Sequence, residues 1–130
     1  MRVACVDTSW AVAIAFGEAG HAALIADLEQ HDRLYSAALL EAELWSACKR
    51  EGVSPVADLL AQLSWLLPDR PPSAELSRVF DAGYLRGADA WHVACALFLA
   101  DRPSSITFLT LDSAQREVAR SLGFVVEPHG

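Results

Sequence analysis

Four acidic residues stand where an otherwise apolar chain changes direction: Asp7, Glu43, Asp89 and Asp112. Two of them close strand-like runs, "RVACVD" at Asp7 and "SITFLTLD" at Asp112. The other two lie on helical patterns, Glu43 in "LLEAELWSACKR" and Asp89 in "GADAWHVACALFLA". Carboxylates brought together repel, and a hard divalent cation relieves the repulsion. Oxygen ligands without a paired His suit Mg2+ or Mn2+, as one or two ions. Such an ion lowers the pKa of a water and polarises a phosphoryl oxygen, which is what phosphodiester hydrolysis requires. Each acid also has a plainer use. Asp7 and Asp112 suit helix N-caps, Asp89 a favourable charge in a first helical turn, and Glu43 a solvated helix position. The joint arrangement, not any single residue, points to chemistry.

The elements that must position these acids follow from periodicity and punctuation. Residues 2–6 read as a buried strand, and Asp7-Thr8-Ser9 opens a helix that runs to Gly17. A second helix is expected over about 19–30 and a short strand at 33–36. Residues 37–51 form a helix stopped by Gly52. "SPVADLLAQLSWLL" reads as a further helix with Ser54 as cap and Pro55 at its first position. "PDRPP" is a loop, followed by helices over about 73–84 and through "RGADAWHVACALFLA". A strand at 106–111, a helix "SAQREVARSL" ended by Gly123 and a final strand "FVVE" complete the chain. Helices separating short buried strands imply one α/β domain over residues 1–130, with a short parallel sheet between helical layers. The functional crevice of such a sheet opens at the carboxyl ends of the strands, where Asp7 and Asp112 fall. On the third helix, Leu40, Leu44, Ala47 and Cys48 define the apolar arc. Glu43 lies nearer its centre than Glu41, so Glu43 is expected to face inward.

Composition narrows the function class. Hydrophobic residues make up 53% of the 130, enough for a substantial core. No apolar run is long enough for a membrane span, and the opening residues lack a signal-peptide pattern, so a cytoplasmic location is expected. Cys5, Cys48 and Cys95 are far apart in apolar segments, which suits reduced core thiols. The net charge of −7 argues against a broad basic groove for duplex nucleic acid. It leaves room for a substrate held through a metal and for a basic protein partner.

With these residues in hand, the chain resembles the PIN-domain ribonucleases. "VACVDTSWAVAI" resembles their first strand ending in Asp and a small hydroxyl residue. "SAALLEAELWSACKRE" resembles the helix that bears a Glu. "YLRGADAWHVACALFLA" resembles the third acidic motif, with His three residues after Asp, and "FLTLDSAQREVARSLGF" the closing Thr-x-Asp motif. The likeness covers nearly the whole chain in order, and its length and short loops look most like the VapC-type toxins of toxin–antitoxin pairs. The resemblance implies a three-layer α/β/α fold and Asp7, Glu43, Asp89 and Asp112 as the acidic, metal-holding site. Thr8, Ser9 and Thr110 are implied neighbours. It also implies Mg2+ or Mn2+, cleavage of single-stranded RNA, a homodimer and inhibition by an antitoxin. Trp91 departs from the pattern, being bulky for a position between Asp89 and His92.

Three further residues flank the acids. His92 sits one turn from Asp89 and suits either a supporting contact or an ordinary helix hydrogen bond. Arg86 and Arg116 suit phosphate contacts, although Arg116 is also spaced for a helical pair with Asp112. A receiver domain is disfavoured, since it needs an acidic doublet after the first strand and a late strand-end Lys, and the only Lys is Lys49. A dehalogenase-like phosphatase is disfavoured by Ser9, where a second Asp is needed. The rival from another class is an inactive acidic module that sequesters a basic partner.

Overall fold

The computed structural model describes residues 1–100 and 102–127. A five-stranded sheet, wholly parallel, runs in the order β3-β2-β1-β4-β5. Its strands are β1 (Val3–Val6), β2 (Arg33–Ala37), β3 (Leu63–Leu66), β4 (Ile106–Leu109) and β5 (Val125–Val126). The helices are α1 (Thr8–Ala15), α2 (His21–Glu29), α3 (Leu39–Glu51), α4 (Ala57–Gln62), α5 (Ser73–Ala82), α6 (Gly87–Leu99) and α7 (Ser113–Ser121).

Strand alternation divides the core into two layers. Ala4, Val6, Leu34, Leu63 and Leu109 face one side and pack with Trp10, Leu24, Leu40, Leu44 and Leu59 from α1 to α4. Cys5, Ala37, Leu66 and Phe108 face the other and pack with Val79, Val93, Ala94 and Val118 from α5 to α7. Period-two side-chain direction within a strand buried on both sides produces this division. Two of the three thiols, Cys5 and Cys95, belong to the second layer and Cys48 to the first; all three are buried and unpaired by disulfides. Burial, with the nearby Cys95, pushes the Cys5 thiol up to about 12. These are packing residues, as their apolar contexts suggested.

The sequence reading placed a continuous helix from Pro55 through "LSWLL". The chain instead forms only the short α4, whose N-cap is Val56, and turns at Leu63 into β3. "LLAQLSWLL" is apolar enough to satisfy either period, so periodicity alone does not choose. Pairing decides it: Leu34↔Leu63 through Ala37↔Leu66 adds β3 to the edge of β2 and buries Leu63 and Leu66. The other elements fall within a few residues of expectation, and Gly52 ends α3 in the left-handed region with φ 68°. Among the described residues no helix is long and apolar enough to cross a membrane.

β1 leads to β2 and β3 on one side, and the chain then returns to build β4 and β5 on the other. The order therefore reverses between β1 and β4, and a crevice opens beyond their carboxyl ends. Asp7 N donates to the Leu109 carbonyl at 2.9 Å, extending the pairing to the rim of that crevice. Leu44, fully buried on α3, fixes the helix that carries Glu43. Leu44→Ala is expected to cost about 2–5 kcal/mol in urea unfolding, whereas Glu41→Ala on the exposed face should change stability by under about 0.5 kcal/mol.

Candidate active site

Asp7 is the fixed point of the site. It is only 4% exposed and caps α1, with Oδ2 accepting from Ser9 N at 3.0 Å and from Ser9 Oγ at 2.7 Å. Its other oxygen, Oδ1, accepts from Gln115 Nε2 at 3.1 Å. Capping and site-building are thus the same act: the hydrogen bonds that start α1 also aim the carboxylate. Ser9 Oγ in turn accepts from Leu111 N at 3.0 Å, which ties the start of α1 to the chain leaving β4.

Gln115 is the residue that sequence reasoning missed. It is fully buried and joins three parts of the rim. Besides Asp7, its Nε2 donates to the Asp89 carbonyl at 3.1 Å, and its Oε1 accepts from Thr110 Oγ1 at 2.5 Å. The signal was present: Asp112-x-x-Gln115 has capping-box spacing, with Gln at the third helical position. The Asp112 half of that box forms, with Gln115 N donating to Asp112 Oδ1 at 2.8 Å. The Gln side chain, however, turns into the site instead of back to the cap. Thr110 is also buried, and accepts from Asp112 N at 3.1 Å.

Asp89 enters from the first turn of α6, half-buried, and shares a cleft of about 300 Å³ with Asp112, Tyr84, Leu85, Arg86 and Ala114. Desolvation, followed by the charges of Asp7 and Asp112, raises its pKa above the usual carboxylate range, with a smaller push from Glu43. The helix dipole favours an anion there, but burial and three neighbouring carboxylates outweigh it. The four acids therefore occupy one electrostatic neighbourhood, as the sequence suggested.

Glu43 faces the site and Glu41 faces solvent, in keeping with the apolar arc of α3. Glu43 is held in a tight pair: His92 Nε2 lies 2.6 Å from its Oε1, and Thr8 Oγ1 donates to the same oxygen at 2.7 Å. The His92 bond is the main reason the Glu43 carboxyl is held below its usual range, with Thr8 helping against the opposing effect of burial. Burial opposes charge on His92, but the Glu43 hydrogen bond and the fields of Asp7, Glu43 and Asp89 outweigh it and raise its pKa. His92 Nδ1 also lies 3.9 Å from Asp7 Oδ1. His92 is thus a supporting residue that links two acids. Trp91 is partly buried and packs against the core layer formed with α5 to α7. Arg116 Nη2 donates to the Thr110 carbonyl at 3.3 Å, supporting the rim from below, while Arg86 is exposed at the cleft.

The donor set fits a hard divalent cation in chemistry and charge: carboxylate oxygens, and an Asp89 whose ionised form its neighbours disfavour. Among the described residues no three His, Cys, Asp or Glu side chains converge tightly enough to form a preformed cage.

A model of the PIN domain matches residues 4–121. No curated protein and no solved structure matches the chain.

The Glu43–His92 pair sets a pH window for the metal-free protein. A carboxyl with a lowered pKa contributes stability above its unfolded value and loses it as pH falls through the folded value. A His with a raised pKa contributes below its unfolded value and loses it as pH rises through the folded value. The pair is therefore fully stabilising between the ordinary values, 4.5 and 6.5. In chelator, Glu43→Gln should cost about 1–2 kcal/mol inside that window and less on either side. Melting curves across pH test this, and a cost that does not vary with pH means the two groups are not an ion pair. In the same buffer Asp89→Asn should raise the melting temperature by about 1–4 °C at neutral pH, because it removes a repelled charge.

Proposed function

The chain belongs to the PIN-domain family, whose members are generally nucleases, and from that premise we propose a divalent-metal-dependent endoribonuclease acting as the toxin of a toxin–antitoxin pair. The observation that carries the metal requirement is the gathering of Asp7, Asp89 and Asp112 at the point where the sheet order reverses, where burial and then the two neighbouring carboxylates raise the pKa of Asp89. Asp7 and Asp89 are the principal metal anchors in this reading. Glu43 orients the attacking water or holds a second ion, and Asp112 is a further ligand or an acceptor beside it. A bound Mg2+ or Mn2+ supplies an activated water and neutralises charge at the phosphoryl oxygens.

The chain's own residues do the rest. Ser9 and Gln115 hold both oxygens of Asp7 in fixed directions, so the carboxylate meets its ligand without first losing rotational freedom. His92 and Thr8 hold Glu43 Oε1, which keeps its carboxylate ionised beside the substrate path. Thr110 aligns Gln115 and receives the Asp112 backbone N–H, tying both to one hydroxyl. Hydrolysis in this frame leaves a 5′-phosphate and a 3′-hydroxyl. The net charge of −7 suits a basic antitoxin segment. The exposed Trp45 on α3, 53% accessible, suits either that contact or a homodimer.

Cleavage of a mixed RNA pool by purified protein with Mg2+, with Mn2+ and with EDTA tests the reading. Cutting is expected with either metal and not with EDTA, and Asp7→Asn should lower it by about a hundredfold or more while remaining folded. Gln115→Ala should lower it about 10–100-fold through loss of ligand orientation. Folded protein that neither cuts RNA nor binds either metal would be an acidic binding module instead.

A further inference from the structure

One element of the acidic cleft has no part in holding the acids. Residues 83–86 join α5 to α6, and their geometry is fixed at two points. Gly83 lies so close to α7 that a β-carbon there would stand 3.1 Å from Val118 Cγ2. Leu85 is buried, 4% exposed. Gly83 is extended, with φ 170° and ψ 175°, and Arg86 is extended, with φ −62° and ψ 153°. Side chains alternate along extended backbone. With Leu85 turned inward, Tyr84 and Arg86 therefore turn outward together.

Both line the cleft that holds Asp89 and Asp112. Tyr84 is 81% exposed, more than any other aromatic ring among the described residues. Among the described residues, the Tyr84 ring and hydroxyl have no partner and the Arg86 guanidinium forms no ion pair, although two carboxylates line the same cleft. A single exposed aromatic is unremarkable by itself. Here, an aromatic face and a free cation stand side by side on a pinned segment at the rim of an acidic crevice.

Building on the nuclease reading, we propose that this pair is the strand-gripping subsite: Tyr84 stacks a base of single-stranded RNA, and Arg86 pairs with a neighbouring phosphate. An unpaired base offers a free π-face, whereas duplex bases are covered by their neighbours. Arg86 also answers the repulsion that a phosphate meets near Asp89 and Asp112. One cation and one ring hold a short segment, which agrees with a chain too acidic to track a long duplex.

The test uses Asp89→Asn protein in Mg2+, so that binding is read without cutting, with a fluorescein-labelled mixed-sequence single-stranded RNA and its annealed duplex as probes. The single strand should bind more tightly than the duplex. Tyr84→Ala should weaken it about tenfold or more, with Tyr84→Trp restoring affinity and no change in melting temperature. Arg86→Ala should flatten the salt dependence of log K by about 0.7, the contribution of one phosphate contact on a single strand. With the active chain, Tyr84→Ala should raise KM far more than it lowers kcat. Unchanged RNA affinity and KM in Tyr84→Ala and Arg86→Ala would overturn the subsite while leaving the nuclease standing. Unchanged affinity together with an altered oligomeric state would assign the pair to a protein contact and overturn it equally. A parent chain that neither binds nor cuts RNA removes the nuclease reading itself.

Discussion

A carboxylate 4% exposed, held by donors on both oxygens, is the constraint around which the molecule is arranged. Burying such a group costs free energy unless its hydrogen bonds are met. Asp7 meets that condition with Ser9 from its own helix and Gln115 from α7, more than a hundred residues away in sequence. The sheet order, the closeness of β1 and β4 and the register Val6↔Leu109 all serve to bring these groups within reach. Removing one donor leaves a buried acceptor unsatisfied and loosens the whole rim.

The site also contains two electrostatic solutions side by side. Glu43 is compensated internally by His92 and Thr8, so its charge is already balanced within the protein. Asp89 is not: burial and the charges of Asp7 and Asp112 disfavour its ionised form, and His92 only partly offsets them. One acid is therefore settled before any ligand arrives and another is left in tension. The site is strained by charge rather than by backbone, since every positive φ among the described residues belongs to glycine.

Much of this was legible in the sequence because the acids coincide with ends of elements, and ends carry strong local signals. Asp7 and Asp112 cap helices, and the same capping chemistry marks them as strand exits. The inward turn of Glu43 followed from the apolar arc of α3. What escaped was non-local. Whether "LSWL" is helix or strand depends on the free edge of β2, which no local window contains. Gln115 stands at capping-box spacing from Asp112, but the partners of its side-chain amide, Asp7 and the Asp89 carbonyl, come from distant segments. The Glu43–His92 bond likewise joins α3 to α6 across the sheet.

The pairing of β1 with β4 has a consequence for the order in which the chain comes alive. Ile106–Leu109, the neighbour of Val3–Val6, and the Gln115 side chain are made about a hundred residues after that strand. At translation rates of about 5–20 residues per second, a nascent chain carries Asp7 for several seconds before the Gln115 donor to its Oδ1 exists. Contacts of such sequence separation also close slowly. The acidic crevice is therefore absent from a nascent chain until β4 and Gln115 have both emerged.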